Sequence, residues 1–340
     1  MMKRLKIEEA VGHVLAHDIT EIKKGERKGP AFKKGHIIKE KDIPHLLDLG
    51  KKSVYILENS EDRVHENEGA ARLADLAQGS GLKRTEPSEG KINLLAAHDG
   101  LLKVESSRLK QLNLHPDVMM ATRHNNTPVE KGEKLAGTRI IPLLIADEKL
   151  KEVENELGDE PLMRVKPYED IKAAVITTGS EVYEGRVEDQ FTEVLEEKLE
   201  CIGGEVVLTD IKPDDRQQIA EAVSSALAAE VDLIVCTGGM SVDPDDVTRF
   251  AIEDETDEVI SYGAPVLPGA MFMLAYADNV PVIGLPACAM FHDVTVLDIM
   301  LPRIAAGEKI RAEEIAEAGH GGLCLQCEIC RYPECSFGKS

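Results

Sequence analysis

Between about residue 171 and residue 304, two hydrophobic patterns take turns along the chain. Short continuous apolar runs at 173–178, 231–236 and 280–286 are too short for helices and lead into glycine or proline turns, so they read as strands buried on both faces. Between them apolar residues recur at helical spacing: Phe191, Val194, Leu195, Leu199 and Ile202, closed by Gly203-Gly204, then Ile219, Ala222, Val223, Ala226 and Leu227. Residues 205–209 read as a further strand, and about 289–304 as an apolar helix. Strands alternating with helices predict an α/β fold, a doubly wound, mostly parallel sheet. In such sheets ligands sit beyond the carboxyl ends of the strands, so the loops there carry the candidate chemistry.

Before residue 171 the pattern changes. Residues 1–60 read as a β-rich unit, with a Lys- and Gly-rich loop over 23–30, a brief helix over about 41–49 stopped by Gly50, and a strand at 53–57. Residues 61–170 read as a mixed accessory domain. Ala70, Leu73, Ala74, Leu76 and Ala77 share a helical face, strand-like runs follow at 92–96, 101–104, 118–122 and 139–143, and a charged helical connector over 147–157 ends at Gly158. The predicted division is 1–60, 61–170, an α/β domain at 171–310, and a cysteine-rich tail at 311–340.

Composition narrows the function class. The 340 residues are 43% hydrophobic, enough for more than one core. With 62 acidic against 40 basic residues the net charge is −22, which argues against nucleic-acid binding driven by phosphate neutralisation. Tryptophan is absent and aromatics are 4%, so stacking platforms for single strands are not expected either. No apolar run reaches about 18 residues. Met1-Met2-Lys3-Arg4-Leu5-Lys6 runs into Glu8-Glu9 without a signal-peptide core, so a cytoplasmic protein with no membrane partner is expected.

Four loops fall at the strand ends: Thr178-Gly179-Ser180-Glu181, continuing to Gly185 and Asp189; Asp210 to Asp215; Cys236-Thr237-Gly238-Gly239-Met240-Ser241, continuing to Asp246; and Gly284-Leu285-Pro286. Glycines let a ligand approach the backbone, free N–H groups hold phosphate, and Asp recruits Mg²⁺ or orients a hydroxyl. Asp189, Asp214 and Asp246 also stand where helix N-caps are expected, and a cap alone explains an Asp there. Three glycine-punctuated strand ends together favour a ligand site.

These residues carry a resemblance. The segment from about 171 to 310 resembles the molybdopterin-binding domain of molybdenum cofactor biosynthesis proteins, including the molybdotransferases. The matching motifs are Thr178-Gly179-Ser180-Glu181, Gly185 to Asp189, Asp214-Asp215, Gly238-Gly239-Met240-Ser241 through Asp246, Pro268-Gly269 and Leu285-Pro286. The resemblance implies molybdopterin, or its adenylated form, as ligand or substrate. Thr178, Gly179, Ser180, Glu181, Gly238, Gly239, Ser241, Leu285 and Pro286 would bind it, with N–H groups around Gly179 and Gly238-Gly239 on the terminal phosphate. Asp246, Asp189 and Asp214 are the implied catalytic candidates, orienting the ligand or holding Mg²⁺. ATP and molybdate are the implied co-substrates, and related domains commonly self-associate. Two departures weigh against catalysis. Ser180 stands where the molybdotransferase branch has Asp, and the last loop reads Leu285-Pro286-Ala287-Cys288-Ala289 without the family's Gly-Asn-Pro. A transferase and a non-catalytic carrier or sensor therefore both stay open, as does a nicotinamide nucleotide as the ligand.

Of seven cysteines, four crowd the C-terminus as Cys324-x2-Cys327-x2-Cys330-x4-Cys335. Four thiolates at such spacing suit Zn²⁺ or an iron–sulfur cluster, and the two successive two-residue gaps resemble ferredoxin-type loops. Elsewhere structural readings are preferred. Cys201 and Cys236 are expected to be buried and inert, Met271 and Met273 to pack the core, His292 to lie on the surface of the final helix or to cap it, and Lys23-Lys24 and Lys33-Lys34 to be solvated.

Overall fold

The computed structural model describes residues 2–23, 27–57 and 62–339. The chain forms two compact units whose segments interleave rather than follow one another. The first comprises Met1–Leu95, Glu105–Thr122 and Lys134–Leu162; the second comprises Ala96–Val104, Arg123–Glu133 and Met163–Ser340. Among the described residues no helix is long and apolar enough to cross a membrane.

In the first unit Met2–Lys6 pairs antiparallel with Ser53–Leu57, and Ile7, Leu15, Ile38, Leu46, Val54 and Ile56 close a small core. The loop expected over 23–30 is largely a hairpin of Ile19–Lys23 with Arg27–Phe32. Residues 24–26, including Lys24 of the expected solvated pair, lie outside the described residues. A four-stranded antiparallel sheet contains Lys91–Ala96, Lys134–Ile140 and Val118–Thr122. The Glu66–Ala77 helix buries Ala70, Leu73, Ala74 and Ala77, close to the predicted face. The Ser106–Leu114 helix has no counterpart in the sequence reading; it buries only Leu112, so its apolar signal is weak.

In the second unit a six-stranded sheet runs in the order Glu205–Lys212, Lys172–Thr178, Leu233–Thr237, Val280–Leu285, Met273–Ala277, Glu258–Tyr262. The first four strands are parallel and the last two are added antiparallel, which is the mostly parallel α/β sheet that the pattern predicts. Side chains alternate between its faces. Ala173 and Val175 join a core with Leu195 and Leu199 of the Phe191–Glu200 helix and with Leu297 and Met300 of the Val296–Ala305 helix. Ala174 and Ile176 point the other way, to Ala222, Val223 and Ala226 of the Arg216–Ala228 helix. Each fully buried Leu, Ile or Phe in these layers contributes about 1.5–3 kcal/mol. The C-terminal segment is part of the first of these cores: Ile315 is 1% exposed and Phe337 2%.

The helix expected over 289–304 is shorter. Ala287–Met290 is a single 3-10 turn, and the helix starts at Val296 because Thr295 and Asp298 form a capping box before it. His292 accordingly sits in the connecting loop. A three-stranded antiparallel sheet of Thr127–Val129, Gly100–Val104 and Met163–Lys166 completes this unit. Lys103, on its central strand, reaches Glu308 at 2.7 Å. Glu308 also accepts from Arg303 at 3.0 Å, and Arg303 pairs in turn with Glu314. Burial pushes the Glu308 carboxyl up, but the hydrogen bond and charge of Lys103, with Arg303, outweigh it and leave it below the usual range. Burial holds Lys103 below the usual lysine range, against the raising effect of Glu308. Two cations, Lys103 and Arg303, converge on Glu308 and hold its carboxylate charged.

Candidate functional site

The register of the sheet decides which loops meet. Thr177 lies opposite Thr237, and Thr237 opposite Leu285. Since these strands are parallel, the loops after 178, 237 and 285 leave the sheet at one edge. Lys212 opposite Thr178 brings the 213–215 loop to the same edge.

The glycine turn after the Leu233–Thr237 strand is tightly fixed. Gly238 and Gly239 have φ of 84° and 56°. A Cβ on Gly238 would stand 2.3 Å from the Thr178 carbonyl oxygen, and one on Gly239 would stand 2.4 Å from Thr248 Oγ1. Thr178 Oγ1 donates to the Thr237 carbonyl at 3.0 Å and lies 2.9 Å from Thr248 Oγ1. Met240, 2% exposed, packs its side chain against Gly284, where a Cβ would collide with it. The Tyr262 hydroxyl donates to the Met240 carbonyl at 2.9 Å, and the Ser241 N–H donates to Asp246 Oδ2 at 2.9 Å. Arg249 stacks on the Tyr262 ring at 4.7 Å and on Phe250 at 4.2 Å, which steadies the tyrosine.

Beside this turn opens a cavity of about 490 Å³. Gly238, Gly239, Ser241 and Asp246 line one side, residues 267–271 another, and Pro286, Ala287 and Cys288 a third. Of the residues singled out from sequence, the structure therefore brings Gly238, Gly239, Ser241, Asp246 and Pro286 together. Thr178 is 3% exposed behind the turn, and Leu285, 1% exposed, belongs to the core.

The first two loops are engaged with each other. The Gly179 N–H donates to the Lys212 carbonyl at 3.1 Å. The Ser180 N–H and Oγ both donate to Asp214 Oδ2, at 2.9 and 3.0 Å. The Gly179 part of the expected N–H cradle is thus filled by the protein's own acceptors, and so is the Ser180 hydroxyl. The Ser180–Tyr183 helix that follows is a single turn, held by Tyr183 N–H to Gly179 O, and it carries Glu181. Asp189 accepts from the N–H groups of Phe191 and Thr192 and the hydroxyls of Thr192 and Thr177, so it secures the start of the Phe191–Glu200 helix. Asp215, rather than Asp214, caps the next helix by accepting from Gln218 N–H at 2.9 Å.

Residues 267–271 form a wall that sequence reasoning largely missed; Pro268-Gly269 was its available signal. Met271 lines the cavity, whereas Met273, at 0% exposure, packs the core as expected. Cys201 is exposed, contrary to expectation, because it follows the last turn of its helix. Cys236 is fully buried, and burial pushes its thiol up to about 12. Burial also raises the Cys288 thiol at the cavity wall.

Residues 174–306 match the family model of a probable molybdopterin binding domain. All residues lining the cavity fall within this matched segment, and the match ends before the four-cysteine tail. Residues 4–58 match a second model, described as a domain of unknown function (DUF8806). The molybdopterin molybdenumtransferase of Haemophilus influenzae is 30% identical over 154 residues, 42% of this chain and 37% of that protein. A CinA-like protein of Thermotoga neapolitana is 40% identical over 81 residues, 24% of this chain and 20% of that protein. A putative molybdopterin biosynthesis protein of Methanocaldococcus jannaschii is 26% identical over 146 residues, 38% of this chain and 36% of that protein. The chain thus spans between 20% and 37% of the length of these relatives. Among solved structures, the molybdopterin biosynthesis enzyme MoaB of Thermus thermophilus is 19% identical, over 41% of this chain and 98% of that one, with a TM-score of 0.35.

Proposed function

We propose that the cavity beside Gly238-Gly239 binds molybdopterin, and that the protein serves molybdenum cofactor biosynthesis by holding that ligand. The observation that supports this is a 490 Å³ cavity walled by a glycine turn, inside the segment that matches the molybdopterin-binding family. Two glycines without side chains let a ligand lie against the backbone. Ser241 offers a hydroxyl, and Asp246, an acceptor-only group, suits the amino and N–H edge of a pterin.

Holding is favoured over group transfer for two reasons. Asp189 and Asp214, the other catalytic candidates, do not line the cavity: Asp189 engages both its carboxylate oxygens in internal hydrogen bonds and Asp214 engages its Oδ2. Cys288 also offers neither the donor nor the acceptor strength of an amide in the last loop. The second reading, a transferase using ATP or molybdate, keeps Asp246 as the carboxylate at the cavity. Among the described residues no three His, Cys, Asp or Glu groups stand close enough to hold a metal ion. Asp246 is the carboxylate at the cavity wall, so Mg²⁺ there would need ligand phosphates and water to complete its shell.

The test is mass spectrometry of ligand retained on anaerobically purified protein, followed by titration with molybdopterin. Ser241→Ala and Asp246→Ala should each weaken binding roughly tenfold or more, the worth of a hydrogen bond involving a charged group. Unchanged affinity in both variants sinks the site. Turnover of molybdopterin with Mg-ATP, or of its adenylated form with molybdate, would replace the carrier reading with the transferase.

A further inference from the structure

We propose that Cys324, Cys327, Cys330 and Cys335 bind one thiolate-ligated metal centre, a zinc ion or an iron–sulfur cluster, held against the 267–271 wall of the Gly238 cavity. The inference goes beyond the ligand reading and does not depend on what that cavity binds. All four cysteines line a single separate cavity of about 220 Å³. The chain is anchored at both ends of the set. At one end the Cys324 N–H donates to the Leu267 carbonyl and the Leu267 N–H to the Gly322 carbonyl, each at 2.8 Å. At the other, the Cys335 N–H donates to the Arg331 carbonyl at 3.2 Å, the Tyr332 hydroxyl donates to the Asp298 carbonyl at 2.7 Å, and Phe337 is buried in the core.

The outer two thiols are half-buried and the inner two, Cys327 and Cys330, are exposed. Gln326 has a φ of 51° and its N–H points at Cys324 Sγ, 3.5 Å away. A left-handed residue with a side chain costs about 1–2 kcal/mol. Amide donors to sulfur are what stabilise thiolate ligands and tune metal–sulfur centres. Of the charged groups lining this cavity, Arg331 is basic and Asp293 acidic, with His292 beside them. Arg331 offsets part of the negative charge of a tetrathiolate. No three of these groups already stand at metal-holding distance, so ligation requires Cys327 and Cys330 to turn inward, which their exposure allows.

Binding balances without redox chemistry for zinc: four thiols release their protons to solvent and four sulfurs bond the ion. A cluster would bring its own iron and sulfide.

The full chain, purified anaerobically, is to be analysed for zinc, iron and acid-labile sulfide and for visible absorbance. The expected result is about one zinc per chain without colour, or iron with matching sulfide and a visible band. Either outcome supports the centre and distinguishes the two forms. The double variant C327S/C330S should lose at least about nine-tenths of that metal, while C201S keeps it. Circular dichroism tells ligand loss from misfolding: a folded double variant that retains full metal overturns the proposal. Protein that takes up no stoichiometric zinc or cluster on reconstitution also overturns it, as does mass spectrometry showing the four cysteines paired as disulfides. Metal loading should in addition slow amide exchange at Leu267 and Cys324.

Discussion

Gly238→Ala separates two physical demands that the glycine turn makes. The φ of 84° costs an alanine about 1–2 kcal/mol relative to glycine. The new Cβ would also stand 2.3 Å from the Thr178 carbonyl oxygen, a backbone atom of a central strand that cannot swing aside. Overpacking of that kind costs about 1–3 kcal/mol, so the expected loss is roughly 2–5 kcal/mol. Gly203→Ala is the control: its φ is 76°, but nothing lies within 4 Å of the added Cβ, so only the backbone term applies. Urea unfolding by circular dichroism compares the two variants through their midpoints, provided the slopes agree. Gly238→Ala should lose at least about 1 kcal/mol more than Gly203→Ala. Equal losses would refute the close approach of the turn to Thr178, and with it the account of how the cavity's floor is built.

Two further outcomes follow from the hydrogen bonds and charges described. Asp189→Ala should lower stability by about 1–3 kcal/mol, because donors from Phe191, Thr192 and Thr177 lose their common acceptor; Asp189→Asn should recover part of it, and an unchanged melting temperature would contradict the helix-start role. Glu308 has its folded pKa depressed below the usual glutamate value of 4.5, chiefly by Lys103 and Arg303 acting against burial. Its contribution is therefore complete above 4.5 and disappears as pH falls through the lower folded value, so melting temperature should drop on that acid limb and Glu308→Gln should flatten it.

Much of the α/β unit was legible because its signals are local. Continuous apolar runs marked the strands, and helical spacing of Leu195 and Leu199, or of Ala222, Val223 and Ala226, marked the faces that cover them. The Gly238-Gly239 turn was legible for the same reason: two glycines after a buried strand announce a backbone that bulkier residues cannot follow. The fate of the carboxylates was not. An Asp near a strand end reads alike whether it faces a ligand or caps a helix, and Asp214 was claimed by Ser180, which lies far from it in the chain.

The sequence by itself determined the parallel strands of the α/β unit and the helices that cover them, that the sheet is mostly parallel, and that glycines and carboxylates collect at its edge, because periodicity and turn chemistry act between near neighbours. Tertiary structure alone decided that the Gly100–Val104 strand joins Met163–Lys166, that residues 267–271 wall the cavity, and that the cysteine tail hydrogen-bonds to Leu267. Those pairings join backbone groups distant in sequence. Any peptide N–H or carbonyl could make them, so no side-chain pattern records them until the core fixes which ones meet.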